Sequence, residues 1–212
     1  MRALLIENSY KGTKDELRGG INDIAVMIQL VPEFDVIVLK DPSREKFIEA
    51  FIDLLKNETL SLFYYSGHGS NNEVVTSDFL NIKDDVFKEL IRSHLKGTLF
   101  AIFDSCFSGS MLDLKYRYSY EKDRLIETEK TETQDVYFLS ASDNLSYEVK
   151  VNNKFNGLLT LLLEKADTTT WRTLIRSIVF LDKYDNIMIN DYPVFSTGRK
   201  IDMDSTLSDT FI

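Results

Sequence analysis

FYYSGHG at residues 63–69 and AIFDSCFSG at residues 101–109 decide how this chain folds. Each is a run of apolar, β-favouring residues that breaks abruptly into Ser, Gly and one reactive side chain, the pattern of a buried strand ending at a functional loop. Leu60 to Tyr65 and Thr98 to Asp104 are therefore predicted as neighbouring parallel strands, ~4.8 Å apart. Their carboxyl ends would bring His68 and Cys106 face to face, in the crevice where open α/β sheets bind ligands. The 38 positions from His68 to Cys106 (106 − 68) hold one amphipathic helix, Asp84 to Leu95, and a hairpin, which makes a right-handed crossover with an insertion.

Outward from these strands the pattern repeats. Ala3 to Ile6 is a short apolar strand, followed by a polar loop over Asn8 to Lys14. Leu17, Ile21, Ile24, Ala25, Ile28 and Val31 recur at helical spacing, and Pro32 stops that helix. Asp35 to Leu39 is a second strand. Ser43 caps a helix whose apolar stripe is Phe47, Ala50, Phe51, Leu54 and Leu55. Glu73 to Asn81 reads as a small hairpin with Val74 and Val75 facing Phe79 and Leu80. The order β-α-β-α-β-α-β marks a doubly wound, mostly parallel sheet with helices on both faces.

Residues 114–134 change character: KYRYSYEKDRLIETEKTETQ has no apolar period and is predicted as an exposed, mobile loop. Val136 to Ala141 forms a fifth strand. Helices are expected over Phe155 to Ala166 and Thr170 to Tyr184, and an edge strand over Pro193 to Ser196, since Pro cannot donate to a ladder.

With 212 residues, 43% of them hydrophobic, the chain is long enough for one packed core and short for two, so residues 1–212 are expected to form one domain. No run approaches a membrane span, and Ala3 to Ile6 is too short for a signal peptide, so a cytoplasmic protein without a membrane partner is expected. One Cys forms no internal disulfide, and two His with it give no structural zinc set. The net charge of −9 disfavours nucleic acid and favours cationic partners, either basic peptide side chains or metal ions.

LRGGINDIAVM at 17–27, FYYSGHGS at 63–70, IKDDVFKEL at 82–90, FDSCFSGS at 103–110, FLSASD at 138–143 and FNGLLTLLLE at 155–164 together resemble a metacaspase, a caspase-like cysteine peptidase. The resemblance implies a three-layer sandwich with about six core strands. Two positions depart from the family's pattern: Phe107 stands where His is usual after the Cys, and Gly20 where Cys is usual. Neither breaks bonds in the family, so the departures bear on pocket shape.

Thiol-based peptide hydrolysis needs a thiolate, a proton carrier and donors for the oxyanion. Cys106 would attack the scissile carbonyl and His68 would carry the proton to the leaving amine. The amides of Gly69 and Cys106 are the expected oxyanion donors. The plain alternative makes Cys106 a small buried hydrophobe and His68 a turn residue.

The resemblance further implies cleavage after Arg or Lys, with Asp23, Ser66 and Asp104 forming the first pocket. It also implies calcium held by Asp84, Asp85 and Asp113 with Asn72 or Glu73, although Asp84 and Asp85 equally suit a helix N-terminus. The basic residues of 114–134, among them Lys122 and Arg124, suggest self-cleavage. Two rival readings are a catalytically silent caspase-like interaction module and a peptidase of the same fold with acidic specificity. A monomer is expected, because Pro193 would hinder pairing through an edge.

Overall fold

The computed structural model describes residues 1–179, 183–184, 187–188 and 192–208. In chain order the elements are β1 (Arg2–Glu7), α1 (Gly20–Leu30), β2 (Asp35–Lys40), α2 (Arg44–Leu55), β3 (Leu60–Ser66), β4 (Gly69–Ser70), β5 (Glu73–Val75), β6 (Asn81–Lys83), α3 (Asp84–His94) and β7 (Thr98–Asp104). After a 3-10 turn at Met111–Asp113 come β8 (Tyr116–Ser119), β9 (Arg124–Glu127), β10 (Val136–Ser140), β11 (Glu148–Val151), β12 (Lys154–Gly157), α4 (Leu158–Glu164) and α5 (Trp171–Val179). The last are β13 (Lys183–Tyr184), β14 (Ile187–Met188) and β15 (Val194–Thr197).

The main sheet has eight strands in the order β2-β1-β3-β7-β10-β15-β8-β9. The first five run parallel and the last three pair antiparallel. Strands alternate their side chains between two cores. Ala3, Leu5, Leu62, Tyr64, Phe100 and Ile102 face α1, α4 and α5. Leu4, Ile6, Phe63, Tyr65, Ala101 and Phe103 face α2 and α3, where Phe47, Phe51, Phe63, Phe87 and Phe103 meet edge to face. Three layers result, as expected. The chain moves outward from β1 to β2 and then returns past β1 to β3, so the strand order reverses between β1 and β3. A doubly wound sheet opens its crevice at such a reversal.

The helix at 44–55 begins as expected, with Ser43 Oγ accepting from the Lys46 amide at 3.4 Å. Five expectations are corrected. Residues 114–134 are not a mobile loop: β8 and β9 pair with each other in register and extend the main sheet, turning at 120–123. Tyr118 and Leu125, cross-strand partners in the hairpin, are buried and supply the apolar face that a Tyr-rich, charged sequence disguised.

The strand expected at an edge over Pro193 to Ser196 instead lies inside the sheet, between β10 and β8. Pro193 precedes it and so forfeits no ladder bond, and the hindrance read from it does not act at an edge. The small hairpin pairs Glu73 with Lys83 and Val75 with Asn81, while Phe79 and Leu80 lie exposed in the connecting turn. The helix expected from Phe155 starts only at Leu158, because Lys154–Gly157 pairs with Glu148–Val151. The helix expected over Thr170 to Tyr184 covers Trp171–Val179, and Lys183–Tyr184 is a strand. Residues 180–182 and 185–186 lie outside the described residues.

Candidate active site

β3 and β7 are paired in register up to Ser66 opposite Asp104. His68 and Cys106 each stand two residues beyond that matched pair (68 − 66 and 106 − 104), so both leave the same end of the sheet on adjoining loops. The loops touch: a Cβ at Gly69 would collide with the Cys106 carbonyl oxygen, which is why only Gly serves there. Cys106 is half-buried. Its sulfur accepts from the Ser146 amide at 3.3 Å and lies 3.4 Å from the Ser146 carbonyl. Phe107, next in the chain, sits at φ +52°, in the left-handed region, and its amide donates to the Asn144 carbonyl at 2.7 Å.

Two groups fix the His68 ring. Its Nε2 is 2.7 Å from the Asp15 carbonyl oxygen. A carbonyl only accepts, so Nε2 carries the hydrogen and Nδ1 of the neutral ring keeps its lone pair. Tyr10 lies against the ring at 4.6 Å between centroids, and its hydroxyl accepts from the His68 amide at 2.9 Å. The same hydroxyl donates to the Val75 carbonyl at 2.6 Å.

The amide of Gly69 is free of the neighbouring ladder for a geometric reason. β4 and β5 join through Asn71 and Asn72, both at positive φ (30° and 65°), the two-residue turn that matches hairpin twist. Val75 donates to the His68 carbonyl at 3.0 Å, so His68 and Val75 form a hydrogen-bonded pair. Bonded and non-bonded pairs alternate in an antiparallel ladder. Gly69, one residue on, therefore turns its N–H away from β5.

Asp23, in the first turn of α1, and Asp104, the last residue of β7, meet under this rim. Both are buried, at 1% and 6% exposure. Asp23 Oδ1 accepts from the Asn156 side chain at 3.0 Å and the Gly157 amide at 2.9 Å, and its Oδ2 accepts from Ser66 Oγ at 3.0 Å. Asp104 Oδ2 accepts from the amide and hydroxyl of Thr160, at 3.0 and 2.7 Å. All these donors are neutral, and among the described residues no basic side chain pairs with either acid. Burial, and then the charge of Asp104, pushes Asp23 up to about 8. Burial likewise pushes Asp104 up to about 6. Asp23, Ser66, His68, Asp104, Ser146 and Gly157 line one cleft.

Sequence reasoning missed Tyr10, the Asp15 carbonyl, and the Asn156, Gly157 and Thr160 cradle. Tyr10 stood in a stretch read only as a polar loop. The cradle stood in FNGLLTLLLE, whose apolar run signalled only a helix.

The acids expected to bind calcium are brought together in part. Asp84, Asp85 and Asp113 converge, but on the ammonium of Lys88, at 3.1, 2.7 and 2.6 Å. Lys130 takes the other oxygen of Asp113 at 2.5 Å. Asn72 Oδ1 accepts from Ser110, and Glu73 turns away to Asn81 and Lys83. Calcium requires six to eight oxygens around one point. Here that point holds a positive nitrogen, so the residues as packed do not fit a divalent ion. Among the described residues no other acid, His or Cys group forms a metal set.

Doubly wound layers with a Cys and a His at adjoining strand tips define a caspase-like α/β sandwich. The model of the caspase domain family matches residues 1–171. This chain belongs to that family. It is 32% identical over 158 residues to metacaspase-1 of Candida albicans, covering 56% of this chain and 35% of that protein. It is 34% identical over 154 residues to metacaspase-1 of Ajellomyces capsulatus, covering 56% and 43%. The chain thus spans about two-fifths or less of these curated relatives. The crystal structure of caspase-1 from Spodoptera frugiperda superimposes with a TM-score of 0.65 over 98% of this chain and 90% of that one, at 12% identity, a likeness of fold. No helix among the described residues is long and apolar enough to cross a membrane.

Proposed function

We propose that the chain is a cysteine endopeptidase that cuts after Arg or Lys through Cys106 and His68. The observation that carries the specificity is the buried pair Asp23 and Asp104, satisfied only by neutral donors. Two carboxyls held together out of water are costly unless a cation joins them. A guanidinium or ammonium entering the cleft supplies that cation, and forked hydrogen bonds from Arg match two carboxylates well. Ser66 orients Asp23 from below.

With such a side chain seated, the scissile carbonyl lies at the loop tips. Cys106 transfers its proton to the imidazole and attacks the carbonyl carbon, forming the C–S bond. The oxyanion meets the amides of Gly69 and Cys106. The imidazolium, held by Asp15 and Tyr10, then protonates the leaving amine as the C–N bond breaks. Water hydrolyses the thioester and restores the thiol. Before attack, the sulfur must leave its contacts with Ser146.

Fluorogenic Arg, Lys and Asp peptides test this reading with wild type, Cys106→Ala, His68→Ala and Asp23→Asn. Turnover of Arg and Lys peptides only is expected, with both dyad variants down by roughly a thousandfold or more. Asp23→Asn should raise KM roughly 30-fold or more while leaving the dyad intact. Turnover of the Asp peptide would establish acidic specificity instead, and no turnover of any peptide would favour a silent binding module.

Self-processing is part of the same proposal, confined to the hairpin tip. Arg117 lies in β8 and Lys115 immediately before it, and they pair with Asp143 and Glu127 respectively. Lys122 is exposed in the turn between β8 and β9, outside the ladder, whereas Lys130, also outside the strands, is held by Asp113. Mass spectrometry of wild type is expected to show a fragment ending at Lys122 that Cys106→Ala lacks. An identical fragment pattern in both proteins would remove the hairpin as a self-substrate.

A further inference from the structure

We propose that Lys88 is a positioning residue for both catalytic loops, an internal cation that does the work a bound metal would otherwise do. Its side chain is 10% exposed, and its ammonium gathers three carboxylates from two parts of the chain. Asp84 and Asp85 open α3, whereas Asp113 closes the segment that begins at Cys106. The Asp84 amide donates to the Asn72 carbonyl at 2.9 Å, and Ser110 donates to the Asn72 side chain. Asn72 belongs to the tight turn that leads back from Gly69. One nitrogen thus ties the strand-tip loop of His68 to that of Cys106 through α3.

The geometry of the tie explains why it bears on chemistry. Asp113 and Leu112 sit at positive φ (46° and 69°), a conformation non-Gly residues rarely hold without external restraint. The grip of Lys88 on one Asp113 oxygen is such a restraint, and Lys130 adds a second on the other from beyond the β8–β9 hairpin. Without the Lys88 ammonium, Asp84 and Asp85 lose the cation they share with Asp113, and only Lys130 remains, on the other oxygen of Asp113. The mutual repulsion of the three carboxylates would open the gap between α3 and the cysteine segment. The same oxygens, with the Asn72 amide oxygen beside them, would then form an oxygen-rich site for a hard divalent cation. The chain as it stands has no need of one, and its hydrolysis should be indifferent to chelator.

The proposal rests on the peptidase reading only for its effect on turnover, so the first test avoids turnover. Calcium is titrated calorimetrically into Cys106→Ala and into Cys106→Ala/Lys88→Met, and both are melted with calcium or chelator. No binding and no melting shift are expected with Lys88 present. One calcium per chain, binding at up to millimolar concentration with a rise in Tm, is expected in its absence. In the active protein, Lys88→Met should lower Arg-peptide kcat roughly 10- to 100-fold in chelator and recover it with calcium. Lys88→Arg should stay active in chelator. Stoichiometric calcium binding by the Lys88-containing protein would overturn the proposal, and this holds even if Lys88→Met fails to fold. A folded Lys88→Met that gains neither calcium binding nor calcium-dependent stability would overturn it equally.

Discussion

Burial raises Asp23 and Asp104 above their ordinary 3.8, so over a window above that value they retain protons that an unfolded chain has released. Between that value and about 8 the folded state binds more protons than the unfolded one, so stability is greatest at the acid end and falls as pH rises through the window. Melting temperature should accordingly drop from mildly acidic pH to about 8, and Asp23→Asn should flatten the drop. Arg-peptide binding has the opposite sign. On the proposed specificity the guanidinium needs the ionised pair, so 1/KM should rise with pH over the same range and binding should release protons, which calorimetry in two buffers reads directly. Tyr10 offers a separate test. Tyr10→Ala removes the face against which His68 rests and the oxygen that its amide bonds, leaving the dyad itself untouched. The expected result is a fall in kcat of roughly 100-fold with KM little changed, since a misplaced base costs rate and not ground-state binding.

Elements were legible wherever an apolar period and a stop signal coincided. β3 and β7 were placed within a residue, and so was α3, because FYYSGHG, AIFDSC and the Asp84-Asp85 start each carry both cues. β8 and β9 were not legible. Only Tyr118 and Leu125 among their residues are buried, and that is too little alternation to separate a hairpin from a loop. β15 was misplaced for a related reason: Pro193 signals an edge only when it lies within the ladder, and here it stops one residue short. Trp171, opening α5, shows how much packing one element carries. Its ring stacks on Tyr137 at 5.0 Å and on Phe195 at 5.1 Å, fully buried between β10, β15 and α5. Trp171→Ala is expected to cost ~3–5 kcal/mol of stability by chemical denaturation, with the proposed dyad, at the carboxyl ends of β3 and β7, unaffected in the surviving folded fraction.

Across the whole molecule, the candidate cleft draws on five stretches far apart in sequence: the loop and helix after β1, the tip of β3, the tip of β7, the Ser146 segment, and the start of α4. The sequence pointed to the two tips and, through family likeness, to Asp23 and Asp104. The stretch from Ser146 to Thr160 stayed hidden because its contributions are backbone amides and neutral side chains, which leave no mark on composition. The β8–β9 hairpin adds one more property at this scale. Its two strands bond to each other, and β8 bonds to β15, so the turn at Lys122 is a covalent link between pieces that already adhere. A chain severed there would keep its hydrodynamic radius and elute as an unbroken particle, and would come apart into two bands only under denaturing electrophoresis.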